Sequence, residues 1–245
     1  MSWASGFILV ASACLGAFAL AGADDPATPQ PGKARTYEQV RKTILEINRS
    51  GDRPAETNAA ERDAALRRLK IYRYLAGVPY DNLVLDDELC KIARAGARLC
   101  EKIGRLDHRP SNPGMPKEEF ELGYQGTSNS NLAEGYPNLT KALDGWMDDS
   151  NASNIDRLGH RRWCLFPNLQ RVGFGRSGKY SAMPIMDRSQ PSVPEFEHVS
   201  FPVAGPMPIE YFNVNWAWTV SLNPKKFRTP DSNARPSITD RKSVV

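Results

Sequence analysis

Two amphipathic helical stripes follow each other between residues 58 and 104, and each is closed by a glycine. Leu66, Leu69, Tyr72 and Leu75 recur at helical spacing, and Gly77 and Pro79 end the pattern. Asn58, with Glu61 three residues on, makes a capping-box-like start. The second stripe is Leu89, Ile92, Ala93, Gly96, Cys100 and Ile103, closed by Gly104. Asp86-Asp87-Glu88 place negative charge before it, where the helix dipole favours it.

The rest of the chain is more broken. Tyr37 to Asn48 reads as a short helix. Pro110 to Asn131 carries Pro, Gly, Ser and Asn with little periodicity and is expected to be a long surface loop, a kind of segment that often carries function. A helix is expected from Thr140 to Asp148, with Leu143, Trp146 and Met147 inward. Arg171 to Gly175 reads as a strand, with Ser181 to Met186 as its hairpin partner. Gln190 to Pro208 is Pro-rich and irregular, and Tyr211 to Leu222 alternates aromatic and polar residues as a strand would, with Trp216 and Trp218 as core residues. The polar, basic stretch from Asn223 to Val245 is expected to be disordered.

At the other end, Phe7 to Ala21 is apolar and uncharged, and Ala21-Gly22-Ala23 fits a small-x-small cleavage pattern. Residues 1–23 therefore read as a signal peptide, and 24–57 as a linker with a short helix. No other segment is apolar enough to span a bilayer, so no transmembrane span is expected after cleavage. The formal net charge is +4. Arg161-Arg162 and Lys225-Lys226 are pairs and not runs, which argues against a nucleic-acid partner. Cleavage would leave Cys90, Cys100 and Cys164, an odd number. Cys90 and Cys100 share one expected helix and would stand about 15 Å apart, too far to bridge. Either Cys164 pairs with one of them, or all three are small buried hydrophobes.

Histidine is scarce: only His108, His160 and His198 occur. His108 follows the second stripe in Leu106-Asp107-His108, and Glu134 sits in Asn131-Leu132-Ala133-Glu134-Gly135-Tyr136. Trp146-Met147-Asp148-Asp149 comes next, then Gly159-His160-Arg161-Arg162 and Arg171-Val172-Gly173-Phe174-Gly175. In this order, and with the Leu66–Pro79 and Leu85–Ala97 helices before them, the residues resemble the CAP superfamily of SCP-like, cysteine-rich secretory proteins. The resemblance covers residues 58–187, leaving 188–245 as a C-terminal extension, partly strand and partly disordered.

The resemblance implies an α+β fold, a three-layer α-β-α sandwich with one concave face, in a secreted or cell-envelope protein. It implies that His108, Glu134, Asp149 and His160 converge on that face. Glu134 stands in Ala133-Glu134-Gly135 where the family has G-E-N, and Asp148 competes with Asp149 for the second acid. Two neutral imidazoles and a water make an open transition-metal site, zinc first, and two protein ligands make a weak one. A carboxylate can orient an imidazole through its second nitrogen. The expected function is a binding module holding a divalent metal through His108 and His160, with a lipid or envelope ligand nearby. The alternative is a metal-dependent hydrolase or peptidase in which Glu134 acts as base and Asp149 orients. His198 lies outside the matched segments and reads as ordinary surface.

Overall fold

The computed structural model describes residues 8–11, 35–49, 57–152, 154–193 and 195–228. In chain order the elements are β1 (Ile8–Ala11), α1 (Tyr37–Arg49), α2 (Thr57–Ala76), β2 (Val84–Leu85), α3 (Asp87–Ile103), α4 (Lys117–Ser128), β3 (Ser130–Glu134), α5 (Leu139–Asp148), α6 (Gly159–Cys164), β4 (Arg171–Val172), β5 (Gly175–Ser177), β6 (Tyr180–Pro184), β7 (His198–Phe201) and β8 (Trp218–Leu222).

The central sheet runs β3-β6-β5, all antiparallel, with Asn131 opposite Met183 and Glu134 opposite Tyr180. Because side chains alternate along a strand, its two faces bury different partners. On one face Leu132, Tyr180 and Ala182 pack with Ala93, Ala97 and Cys100 of α3. On the other, Ala133 and Met183 pack with Leu69 and Leu75 of α2 and Leu143 and Trp146 of α5. Helices on both faces of a sheet are the α-β-α sandwich that the resemblance implies. β3 is an edge strand, and the site is built there.

The two stripes form as read. α3 is capped by the Asp86 carboxylate, which accepts from Leu89 N at 2.9 Å, and is closed by Gly104 at φ 73°. α2 begins at Thr57, so Asn58 lies inside its first turn, and Glu61 is engaged elsewhere, bonding Arg176 of β5 at 2.8 Å.

The segment 110–131 is not a loop throughout: it contains α4 and the first residues of β3. Apolar periodicity is weak in α4 because it packs through small residues. A Cβ on Gly126 would lie 2.3 Å from Ile92 O, and one on Gly96 would lie 2.6 Å from the Gly126 carbonyl carbon. The two helix backbones touch, which only glycine permits.

The expected Arg171–Gly175 strand is two strands. β4 pairs in parallel with β2, whereas β5 pairs antiparallel with β6. Between them a Cβ on Gly173 or Gly175 would strike the α3 backbone at 2.2 or 2.1 Å, so the chain is pressed against the helix and leaves one sheet for the other.

Beyond Asp187, the segment read as irregular contains β7, and only Trp218–Leu222 of the expected last strand is extended. Phe196, Val199, Phe201, Tyr211 and Phe212 are buried in the same core as α2, with Tyr72 edge-on to Phe201 and Tyr211. Trp216 and Trp218 pack against that core and are partly buried. The expected signal peptide lies outside the described residues except for Ile8–Ala11, whose backbone pairs with β8, Ile8 opposite Ser221. The expected disordered stretch is described only as far as Arg228. Cys90, Cys100 and Cys164 are buried and unbridged. No helix among the described residues is long and apolar enough to cross a membrane.

Candidate functional site

Asp149 ends α5 in a left-handed conformation, φ 49°, a turn that reverses the chain toward α6. Its side chain is fully buried and accepts four donors. Oδ2 takes the backbone N–H groups of His160 at 2.9 Å and Arg161 at 3.2 Å, the unpaired donors of the first turn of α6. Oδ1 takes His160 Nδ1 at 2.7 Å and the amide of Asn154. Asn154 Nδ2 and His160 Nδ1 stand 3.2 Å apart because they share this oxygen. A carboxylate can only accept from the ring, so His160 carries a proton on Nδ1, and in the neutral ring its Nε2 is the acceptor. The His160 side chain is 28% exposed, so the ring is open to solvent on one side. Between the two acids, geometry selects Asp149: the carbonyl of Asp148 accepts from Arg161, and Asp148 Oδ1 has no partner among the described residues.

Two buried arginines hold α6 in place. Arg161 donates to Met147 O at 2.6 Å, Asp148 O at 2.7 Å and Ala217 O at 2.5 Å, tying the end of α5 to the start of β8. Burial pulls its guanidinium down to about 10. Arg73 of α2 is wholly buried and donates to the carbonyls of Pro79, Cys164 and Phe166 at 2.7, 3.0 and 2.9 Å, with Leu169 O at 3.3 Å. Desolvation pulls it down to about 9, and a cation at the carbonyl end of α6 complements the helix dipole.

His108 comes to the same strand from the α4 side. Its Nδ1 lies 2.8 Å from Thr127 O, and Thr127 Oγ1 lies 3.4 Å from His108 O. A carbonyl only accepts, so His108 also carries its proton on Nδ1. Thr127 is buried at the end of α4, three residues before β3 begins, and His108 itself is exposed. On the opposite face, Asn131 Nδ2 donates to His160 O at 3.0 Å. His160 therefore lies against Asn131 of β3 and His108 against Thr127 at the end of α4, and in each ring Nε2 is the atom these bonds leave free.

Glu134 lies at the other end. It is three residues along β3 from Asn131, a rise of roughly 10 Å. Its carboxylate bonds Lys179 Nζ at 2.6 Å, and this pairing raises the lysine. The structure thus joins Asp149 to His160 directly, holds His108 against Thr127 of α4 and pairs Glu134 with Lys179. Among the described residues no three His, Cys, Asp or Glu side chains come together as a metal-holding group. With Asp149 saturated by donors and Glu134 bridged, the described residues make no closed zinc site.

Asn131, Thr127, Asn154 and Lys179 escaped the sequence reading. Only Asn131 left a signal, a polar residue set among the apolar positions of β3. Cys164 is not a nucleophile beside His160: it is wholly buried, its sulfur is 3.5 Å from Asn131 Nδ2, and burial pushes its thiol far up. His198 sits in β7 opposite Leu222, in the sheet beyond the matched segments.

The CAP model, described as the cysteine-rich secretory protein family, matches residues 62–182. No curated protein matches the chain. The fold is similar to the crystal structure of an extracellular protein containing a SCP domain from Bacillus anthracis str. Ames, with 16% identity and a TM-score of 0.40. The match covers 60% of this chain and 49% of that one, about half its length. Residues 62–182, which carry the α3 layer, most of the central sheet and both site histidines, are a CAP domain of the cysteine-rich secretory protein family.

Proposed function

We propose that this chain is an exported recognition module of the CAP type that binds its ligand through the outward Nε2 atoms of His108 and His160. The observation that carries the reading is the shared proton position. Thr127 O and Asp149 Oδ1 each engage an Nδ1, which in the neutral ring leaves an Nε2 lone pair on each histidine. A divalent transition metal, zinc first, suits such donors and would supply Lewis acidity toward a bound oxygen ligand. Two imidazoles make its affinity modest, so water or an exported ligand would complete the coordination. The cavity beside α6, lined by Arg161, Trp163 and Val199, measures about 20 Å³. That is room for a water and not for an acyl chain, and neither histidine lines it. Calorimetric titration of the metal-stripped protein with zinc tests the reading. It expects saturable one-to-one binding that is lost in a His108→Ala, His160→Ala variant. Binding of unchanged affinity in that variant would sink it.

A second reading is hydrolytic. A buried carboxylate behind a partly exposed imidazole is the base-and-orienter part of a general-base site. Here His160 Nε2 would take a proton from water while Asp149 holds the ring. Glu134 suits the base role less well, being bridged to Lys179 at the far end of β3. Hydrolysis of a peptide or ester panel that vanishes in His160→Gln would support it, and turnover that persists in that variant would exclude His160 as the base.

A further inference from the structure

The cations of α3 are scattered in sequence but not in space. Lys91, Arg94, Arg98 and Lys102 recur at spacings of three and four residues, which puts them on one face of the helix. All four are exposed. That face forms one wall of a groove whose other wall is Met115, just before α4, and Glu119 and Leu122 within it. The groove holds about 560 Å³ around Lys91, Arg94 and Arg98, with Arg62 of α2 at its rim. It continues for about 400 Å³ past Lys102. From Lys91 to Lys102 the helix rises roughly 16 Å.

Some of this charge is already matched. Arg98 meets Glu119 at 3.0 Å, and Lys91 meets Glu88 at 3.3 Å. Both are surface pairs, which hold weakly and exchange readily for a ligand anion. Arg62, Arg94 and Lys102 make no ion pair among the described residues. Asp87 is the other acid lining the main part of the groove.

From this arrangement we infer a second binding site, separate from the histidine face: the α3–α4 groove takes a linear polyanion, a chain of repeating phosphate or sulfate groups lying along α3. A single small anion would need cations that converge, and these are spread along the helix. A membrane surface is flat, and this face is concave. A single-stranded nucleic acid would call for rings on which bases stack, whereas Ala95, Met115 and Leu122 are the apolar residues lining this groove, and a duplex is a stiff rod that does not bend into it. What remains is a flexible strand whose charges meet the cations in succession.

The test uses the full chain and two labelled polymers, inorganic polyphosphate and heparin, followed by fluorescence anisotropy at about 50 and 200 mM salt. The expected result is binding to at least one polymer that weakens at least ~10-fold at the higher salt. Arg94→Glu combined with Lys102→Glu should weaken it by a further ~10-fold or more without moving the thermal midpoint, since neither residue makes an ion pair. A charge-matched control on α1, Arg41→Glu with Lys42→Glu, should leave binding unchanged. Preference for polyphosphate or for heparin would name the anion as phosphate or sulfate, and either supports the site. The inference is overturned by failure to bind both polymers at low salt, by equal losses in the groove and control variants, or by capture on anionic lipid vesicles with no affinity for either polymer.

Discussion

His160 is set by buried charge, and His108 is set by helix proximity. On the His160 side Asp149 accepts four donors out of contact with water, and Arg161 and Arg73 fill backbone carbonyls around α6. On the His108 side two backbones meet at Gly96 and Gly126, which brings Thr127 O within 2.8 Å of the ring. Charge fixes an angle and a proton, because every donor and acceptor is committed. Close packing fixes a distance, because nothing can intrude. The contrast teaches that one imidazole is held by polar interactions that tolerate no unpaired partner, and the other by space that tolerates no added atom.

The comparison breaks first on the polar side. Arg161→Ala strands the buried carbonyl of Met147 and takes a donor from the partly buried carbonyls of Asp148, which keeps Ser150 Oγ, and Ala217; a buried orphaned group costs about 1–3 kcal/mol, and the packing of a buried side chain is lost with it. We expect a loss of roughly 4 kcal/mol in urea unfolding, with little change in slope. A loss below ~1 kcal/mol would mean that water reaches these carbonyls and that charge does not hold α6.

Gly126→Ala comes next. The new Cβ meets backbone atoms of Ile92 and Gly96, which cannot rotate away. The expected cost is about 3 kcal/mol, with α4 displaced from α3. The specific sign is a loss of the His108–Thr127 bond with the Asp149–His160 bond intact, read from the ring signals of the two histidines. Equal disturbance of both would erase the distinction between the two sides.

Asp149→Asn is smaller in stability, about 2 kcal/mol, because one acceptor becomes a donor aimed at donors. It sharpens the comparison in function, since freeing the His160 ring should weaken zinc binding by ~10–100-fold. An unchanged affinity would show that the ring needs no orienting carboxylate.

The smallest effect belongs to the exposed end of the strand. Glu134→Gln should leave the unfolding midpoint within experimental scatter, since Lys179 is solvent-exposed. It should also leave zinc affinity unchanged. A large loss of affinity would return Glu134 to the site.

Much of the sandwich was legible because stripes such as Leu66–Leu75 and the Asp86 cap are local signals that burial only confirms. α4 was missed for a physical reason. Its packing surface is glycine, which carries helix-breaking propensity in a sequence and close contact in a fold. β7 was missed because His198–Phe201 gains its strand character from β8, a partner distant in sequence. The Asp149–His160 pair was readable from two short segments, since each lies at an end of a helix. The place of Glu134 was not, because the direction in which a strand-end carboxylate finds its partner depends on Lys179, across a hairpin turn. Nor could the sequence gather Arg62 with the α3 cations, which takes the folded groove.

The most direct test of the account is the proton position on the two rings. Long-range proton–nitrogen NMR correlations on nitrogen-15-labelled protein at neutral pH separate the tautomers. The account predicts that both His108 and His160 carry the proton on Nδ1, with an unprotonated Nε2 that shifts when zinc is added. A proton on Nε2 of either ring would contradict it, because that nitrogen could then neither hold a metal nor accept a proton from a ligand.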